Sequence, residues 1–147
     1  MFSPVVLASN EYPANQGTIE NLNSTETEYI VSLLVDNSSD INNASSLKST
    51  HYISQGQTRT HYVNVNSGIN YLEVGLNWGD PSDSLTLSVF TPSGSNLGTY
   101  HDSFGNGMIH ININPSQGFV EEGTWKFKVY GESVSGAEDY TFNVYQH

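Results

Sequence analysis

Apolar and polar residues alternate with a period of two through most of the chain after residue 57. Val63 and Val65 fall on one face, as do Leu72, Val74, Leu76 and Trp78, then Leu85, Leu87 and Val89. The pattern returns in Ile109, Ile111 and Ile113, in Trp125, Phe127 and Val129, and in Tyr140, Phe142 and Val144. Polar residues such as His110, Asn112, Lys126, Lys128 and Asn143 stand between them. Successive side chains of a β-strand point to opposite faces, so each run predicts a strand with one buried and one wet face. No segment shows a helical period. Earlier in the chain, Glu28 to Val35 is rich in Tyr, Ile, Val and Leu and ends at Asp36-Asn37-Ser38-Ser39-Asp40, which predicts one more strand packing on the main body.

Turn-forming residues separate the runs at Asn66-Ser67-Gly68, Gly79-Asp80-Pro81, Pro92-Ser93-Gly94, Asn106-Gly107, Asn114-Pro115 and Gly131 to Gly136. Short half-buried strands at this spacing predict an all-β fold, an antiparallel two-sheet β-sandwich of jelly-roll type with about 8–9 strands. Two sheets must then meet face to face, about 10 Å apart, with both tryptophans in the core. Composition divides the chain near residue 50. Residues 1–50 form a polar segment rich in Asn, Ser and Thr with one strand at about 28–35, and residues 51–147 form the jelly-roll domain.

At 147 residues, the chain is long enough to bury a core without a staple. It has no cysteine, which removes disulfides, zinc-thiolate sites and thiol nucleophiles, and leaves oxygen-ligated cations as the metals to expect. Fifteen acidic residues face four basic ones, Lys48, Arg59, Lys126 and Lys128, and the net charge of -11 repels nucleic acid and anionic lipid. No apolar run approaches the roughly 20 residues of a membrane-spanning helix. Met1-Phe2-Ser3-Pro4 lacks the basic start and apolar core of an intact signal peptide. Asn-x-Ser/Thr sequons at Asn23, Asn37 and Asn43, with the acidic polar composition, place the protein as secreted or at the cell surface and as a glycoprotein candidate.

The residues that carry chemistry elsewhere are not arranged for catalysis. The histidines (His51, His61, His101, His110, His147) form no HExxH, and no serine sits in a GxSxG elbow. Glu121-Glu122 and Glu138-Asp139 are adjacent, and adjacent residues of a strand face opposite ways, so neither pair makes an acid/base couple. Asp80-Pro81-Ser82-Asp83 and Asp102 to Gly107 gather short oxygen-bearing side chains into tight turns. Asp80, Asp83, Asp102 and Asn106 are therefore the candidate metal ligands, for calcium, which takes six to eight oxygens. Tyr62, Tyr71, Tyr130 and Tyr145 run out of phase with the apolar face or sit at strand ends, where their rings suit stacking on a sugar.

Trp78, Ser84-Leu85-Thr86-Leu87-Ser88-Val89, Thr91-Pro92-Ser93-Gly94 and Gly123-Thr124-Trp125-Lys126-Phe127-Lys128-Val129-Tyr130-Gly131 occur in that order. They are preceded by Ile53-Ser54-Gln55-Gly56-Gln57-Thr58 leading into Tyr62-Val63-Asn64-Val65. Over residues 51 to 146 this resembles the pre-peptidase C-terminal domain family and, more distantly, is similar to the proprotein convertase P domain. The resemblance implies a non-catalytic jelly-roll appended to secreted proteases and other exported proteins, often calcium-stabilised and sometimes acting in substrate or surface binding. In one respect the chain departs from that pattern: Ser84-Leu85-Thr86-Leu87 stands where the family commonly has Asp-Leu-Asp-Leu, which leaves Asp83 one position early.

The expectation is thus a non-catalytic accessory or binding domain of a secreted or cell-surface protein, calcium-stabilised through Asp80, Asp83, Asp102 and Asn106. Its expected partner is a linked or associated protease or surface protein. A carbohydrate- or cell-surface-binding module is the alternative, with a glycan as ligand.

Overall fold

The structure, a computed structural model, describes residues 26–35 and 50–147. Most of the polar N-terminal segment, the turn at 36–40 and the three sequons lie outside the described residues. Nine strands follow in order: β1 (Tyr29–Leu33), β2 (Thr50–Ser54), β3 (Thr58–Val65), β4 (Leu72–Asn77), β5 (Ser84–Phe90), β6 (Asn96–Tyr100), β7 (Met108–Pro115), β8 (Gly123–Ser133) and β9 (Ala137–Gln146).

One sheet has the order β1-β7-β4-β9-β2 and the other β3-β8-β5-β6, with antiparallel pairing throughout. Apart from β5 and β6, consecutive strands from β2 to β9 alternate between sheets. These eight strands are the two interlocked Greek keys of a jelly roll, with β1 added at one edge. The fold expected from the alternation is the fold observed.

The alternation works because each strand gives one face to the space between the sheets. β7 reads half-buried and buried by turns, with Ile109, Ile111 and Ile113 no more than 1 % exposed. From the opposite sheet Leu85, Leu87, Val89, Trp125, Phe127 and Val129 meet them, each also at 0–1 %. Burial of one such side chain is worth about 1.5–3 kcal/mol, and this layer is the main stabilising term. β1 closes over one end of it: Tyr29 meets Trp125 edge-on, centroids 5.3 Å apart, and its hydroxyl accepts a hydrogen bond from the Glu121 amide at 2.9 Å.

Two strands carry no clear alternation in the sequence. β6 and β2 are edge strands, with mixed burial, so the core imposes little on them. β8 also continues past Gly131 to Ser133, through a register shift opposite Ser84 and Leu85. Gly131 is required by packing. A Cβ there would lie 2.5 Å from the Ser54 carbonyl oxygen, because the β2–β3 turn docks on it through Gly56 N–H to Gly131 O (2.8 Å) and Gly131 N–H to Gln57 O (3.0 Å).

Candidate metal centre

The loop from β4 to β5 is held in place from its two ends. Trp78 is 6 % exposed and its indole N–H donates to the Asp83 carbonyl at 3.1 Å. The Asp83 amide donates to the Asp80 carbonyl at 3.1 Å, closing a turn. Within that turn the Asp80 carboxylate accepts from the Ser82 hydroxyl (2.6 Å) and amide (3.0 Å). These hydrogen bonds, the hydroxyl first, hold Asp80 ionised by lowering its pKa. Asp80 is exposed, whereas Asp83 is 4 % exposed and accepts from the Ser135 amide at 3.1 Å.

Glu138 comes from the start of β9, opposite Ile53 of β2, and is 8 % exposed. It shares the inward phase of Tyr140, while Asp139 points out to solvent. One carboxylate oxygen from each of Asp80, Asp83 and Glu138 lies within 4.8 Å of the others. Burial first, then the hydrogen bond and charge of Asp83, push the Glu138 pKa up to about 7, and the other charges acting on it are Asp80 and Asp139. Every charge that perturbs Glu138 is negative. Two buried carboxylates so placed are destabilising when both are ionised, and a proton on Glu138 or a cation between them relieves that cost. Three hard oxygen donors suit calcium or magnesium and not a soft metal.

Of the four residues singled out from sequence, Asp80 and Asp83 are brought together here and Asp102 and Asn106 are not among the converging carboxylates. Asp102 is engaged in its own loop: its two carboxylate oxygens accept from the amides of Asn106 (3.1 Å) and Gly107 (2.7 Å). That loop is pressed against the site's own loop. The Gly107 carbonyl accepts from the amides of Trp78 and Gly79, both at 2.9 Å, and a Cβ on Gly107 would stand 2.8 Å from the Gly79 carbonyl carbon. In the sequence Glu138 stands out only as half of the adjacent pair Glu138-Asp139, although its phase with Tyr140, Phe142 and Val144 marks it as a carboxylate on a core face.

The histidines hold structural contacts. His61 faces inward, stacks on Phe142 at 4.6 Å, meets His51 edge-on at 4.7 Å and hydrogen-bonds the Tyr140 hydroxyl at 2.8 Å. Burial, followed by the charges of His51 and Arg59, lowers its pKa to about 4. Glu73 takes His110 on one oxygen (2.8 Å) and His147 on the other (2.9 Å), on the outer face of the five-stranded sheet.

A family model for the bacterial pre-peptidase C-terminal domain matches residues 57–131, from the start of β3 into β8. The chain belongs to the pre-peptidase C-terminal domain family. Such domains are non-catalytic and are typically associated with secreted proteases. The pre-peptidase C-terminal domain described here is also similar to part of the CspB protease of Clostridium perfringens, with a TM-score of 0.51 and 13% sequence identity. The similarity covers 65% of this chain and 24% of that one, so it bears on the fold alone, and the chain spans about a quarter of the protease's length. No curated protein matches the sequence. Among the described residues no helix is long and apolar enough to cross a membrane.

Proposed function

We propose that this chain is a non-catalytic accessory domain of a secreted or cell-surface protein, a protease foremost, and that a calcium ion at Asp80, Asp83 and Glu138 ties its loops together. The observation that carries the reading is the convergence of Asp83 and Glu138, both buried, with Asp80, every charge that acts on Glu138 being negative. The three residues belong to the β4–β5 loop and to β9, so a cation between them would tie two distant parts of the chain at one end of the sandwich. Asp102 and Asn106 take their place in the adjoining loop, which they hold against Gly79.

A ligand that binds only the folded state stabilises by mass action, by about 2.7 kcal/mol at a hundredfold excess over Kd. Thermal unfolding in excess chelator and in millimolar calcium, with magnesium as the control for charge screening, tests the reading. The expected result is a melting temperature several degrees higher in calcium than in magnesium or chelator. An unchanged midpoint would sink the calcium site while leaving the family and fold untouched.

A further inference from the structure

The outer face of the four-stranded sheet carries charge opposite in sign to the rest of the molecule. The chain has four basic residues against fifteen acidic ones. Of the three basic residues within the described part, Lys126 and Lys128 of β8 stand on this face, whereas Arg59 of β3 shares the phase of His61 and Val63 and its Nε donates to the Tyr52 carbonyl of β2 in the other sheet. The strands of the four-stranded sheet hold a single acidic residue, Glu132, which stands near the end of β8 and 3.5 Å from His101. Because Trp125, Phe127 and Val129 are fully buried, Lys126 and Lys128 take the outward phase of β8. β8 is an interior strand, so both ammonium groups rise from the middle of the face.

Strand register sets the neighbours in rows. Tyr62, Lys126 and Phe90 form one; Thr60, Lys128, Ser88 and Thr99 the next; Thr58, Tyr130 and Thr86 the third. Same-face residues of one strand stand about 6.8 Å apart. Both lysine Nζ atoms lie 5.2 Å from the centroid of the one Phe90 ring, so two like charges are gathered over a single aromatic with no carboxylate in the rows. An anion between them removes their repulsion and gains from both. Tyr62, 69 % exposed, stands across from Lys126 on β3, and Tyr130, 41 % exposed, follows Lys128 along β8, both with open rings. Ser88 and Thr99 add hydroxyls, bonded to each other at 2.7 Å.

We propose that this face is a binding platform for an acidic polysaccharide, a chain of sugars bearing carboxylates, with Lys126 and Lys128 on a carboxylate and Tyr62 and Tyr130 against sugar rings. An added peptide strand pairs along the free edge of β3 or β6, whereas Lys126 and Lys128 stand on β8, which is paired on both sides. Two lysines on a molecule of net charge -11 match a polymer with no more than one singly charged carboxylate per sugar, and the denser charge of a polyphosphate or a multiply sulfated chain would be repelled more strongly by the surrounding surface. None of these residues belongs to the candidate metal centre, and the inference stands without it.

The test is retention of the whole chain on immobilised polygalacturonate at low salt in chelator, with neutral dextran and poly-L-glutamate columns beside it. Expected are retention on polygalacturonate alone, its decline with added salt, and a tenfold or greater loss in the K126Q/K128Q double variant at unchanged melting temperature. The K126R/K128R variant keeps binding, and Tyr62→Ala weakens it severalfold. Absence of retention, retention undiminished in K126Q/K128Q, or equal retention on poly-L-glutamate, which would mark an acidic-peptide surface, each overturns the proposal.

Discussion

Asp83, at the mouth of β5, and Glu138, at the start of β9, face one another from the inward phase of their strands. Both are less than a tenth exposed. Asp83 is in phase with Leu85, Leu87 and Val89, and Glu138 with Tyr140. Asp83 immediately precedes β5 and Glu138 is the second residue of β9, so a carboxylate stands where each core face reaches the loop end of the sandwich. Burying two carboxylates together is costly when both are ionised, which makes the state of this pair the variable that proton or cation concentration controls.

The pair makes the pH dependence of stability separable by one substitution. Glu138 has a pKa of about 7 in the fold against an ordinary 4.5, so its contribution is fully present below 4.5 and is lost as pH rises through 7. His61 acts in the opposite sense. Its pKa of about 4 against 6.5 gives a contribution present above 6.5 and lost as pH falls through 4. Between 4.5 and 6.5 the two oppose each other, and the melting temperature of the parent domain in chelator is comparatively flat there. Glu138→Gln removes one slope: at pH 8 in chelator it raises stability, by on the order of 2 kcal/mol, and it melts progressively lower on acidification from 6.5 to 4. It also loses the response to calcium. Parallel melting curves for the variant and the parent across this range would refute the assignment.

The strands were legible in the sequence wherever an interior strand gave one whole face to the core, as in Ile109, Ile111 and Ile113. β2 and β6 were not, because an edge strand with mixed exposure has no strict face to keep. At the site, Asp80 and Asp83 were legible as loop oxygens. Asp102 carried the same signature, since a turn-bracing aspartate and a cation-binding one are both short carboxylates among small residues. The meeting of Glu138 with Asp83 needed the pairing of β9 with β2 and the return of the β8–β9 loop to Asp83 through Ser135, neither of which periodicity encodes. The one-residue offset from Asp-Leu-Asp-Leu also acquires a physical meaning. Positions 84 and 86 share the outward phase of β5, and a shift of one residue turns Asp83 to the inner face.

The contact between His61 and Tyr140 joins the two sheets, because His61 belongs to the edge strand β3 of one and Tyr140 to β9, one strand in from the edge of the other. Tyr140 is 1 % exposed, so its hydroxyl has no access to water as a substitute partner. His61→Phe keeps a ring against Phe142 and leaves that hydroxyl unpaired, with an expected cost of about 1–3 kcal/mol. Tyr140→Phe in the same background removes the orphaned group and recovers most of the loss. A denaturant double-mutant cycle measures the coupling, and strictly additive single effects would show that the hydrogen bond contributes nothing.

Two glycines separate packing from backbone strain. Gly131→Ala drives a methyl group into the Ser54 carbonyl at the seam between β2 and β8, and overpacking against backbone costs about 1–3 kcal/mol. Gly136, with φ of 75° and nothing within 4 Å of an added Cβ, meets only the left-handed conformational penalty, about 1 kcal/mol. The expected order of midpoints in urea is parent, Gly136→Ala, Gly131→Ala. The reverse order of the two variants would mean that the β2–β3 turn can move off β8 at little cost.

Asp102 distinguishes a brace from a ligand. Its two oxygens accept the Asn106 and Gly107 amides, and Gly107 in turn carries the Trp78 and Gly79 amides on its carbonyl. Asp102→Ala therefore leaves two amides of a tight turn without their carboxylate and loosens the support under Gly79, whether or not a cation is bound. Each charge-assisted hydrogen bond is worth about 1.5–3 kcal/mol when its partner is sequestered, and less where water can replace it, so a loss of about 2 kcal/mol is expected in chelator. Asp80→Ala removes an exposed carboxylate whose hydrogen bonds stay within its own turn, and it should leave the chelator melting temperature near that of the parent while reducing the shift produced by calcium. The comparison is a two-by-two set of thermal melts, each variant with chelator and with calcium. Should Asp102→Ala melt with the parent in chelator and differ only in calcium, Asp102 would be a direct ligand, and the role assigned to it as a brace would be wrong.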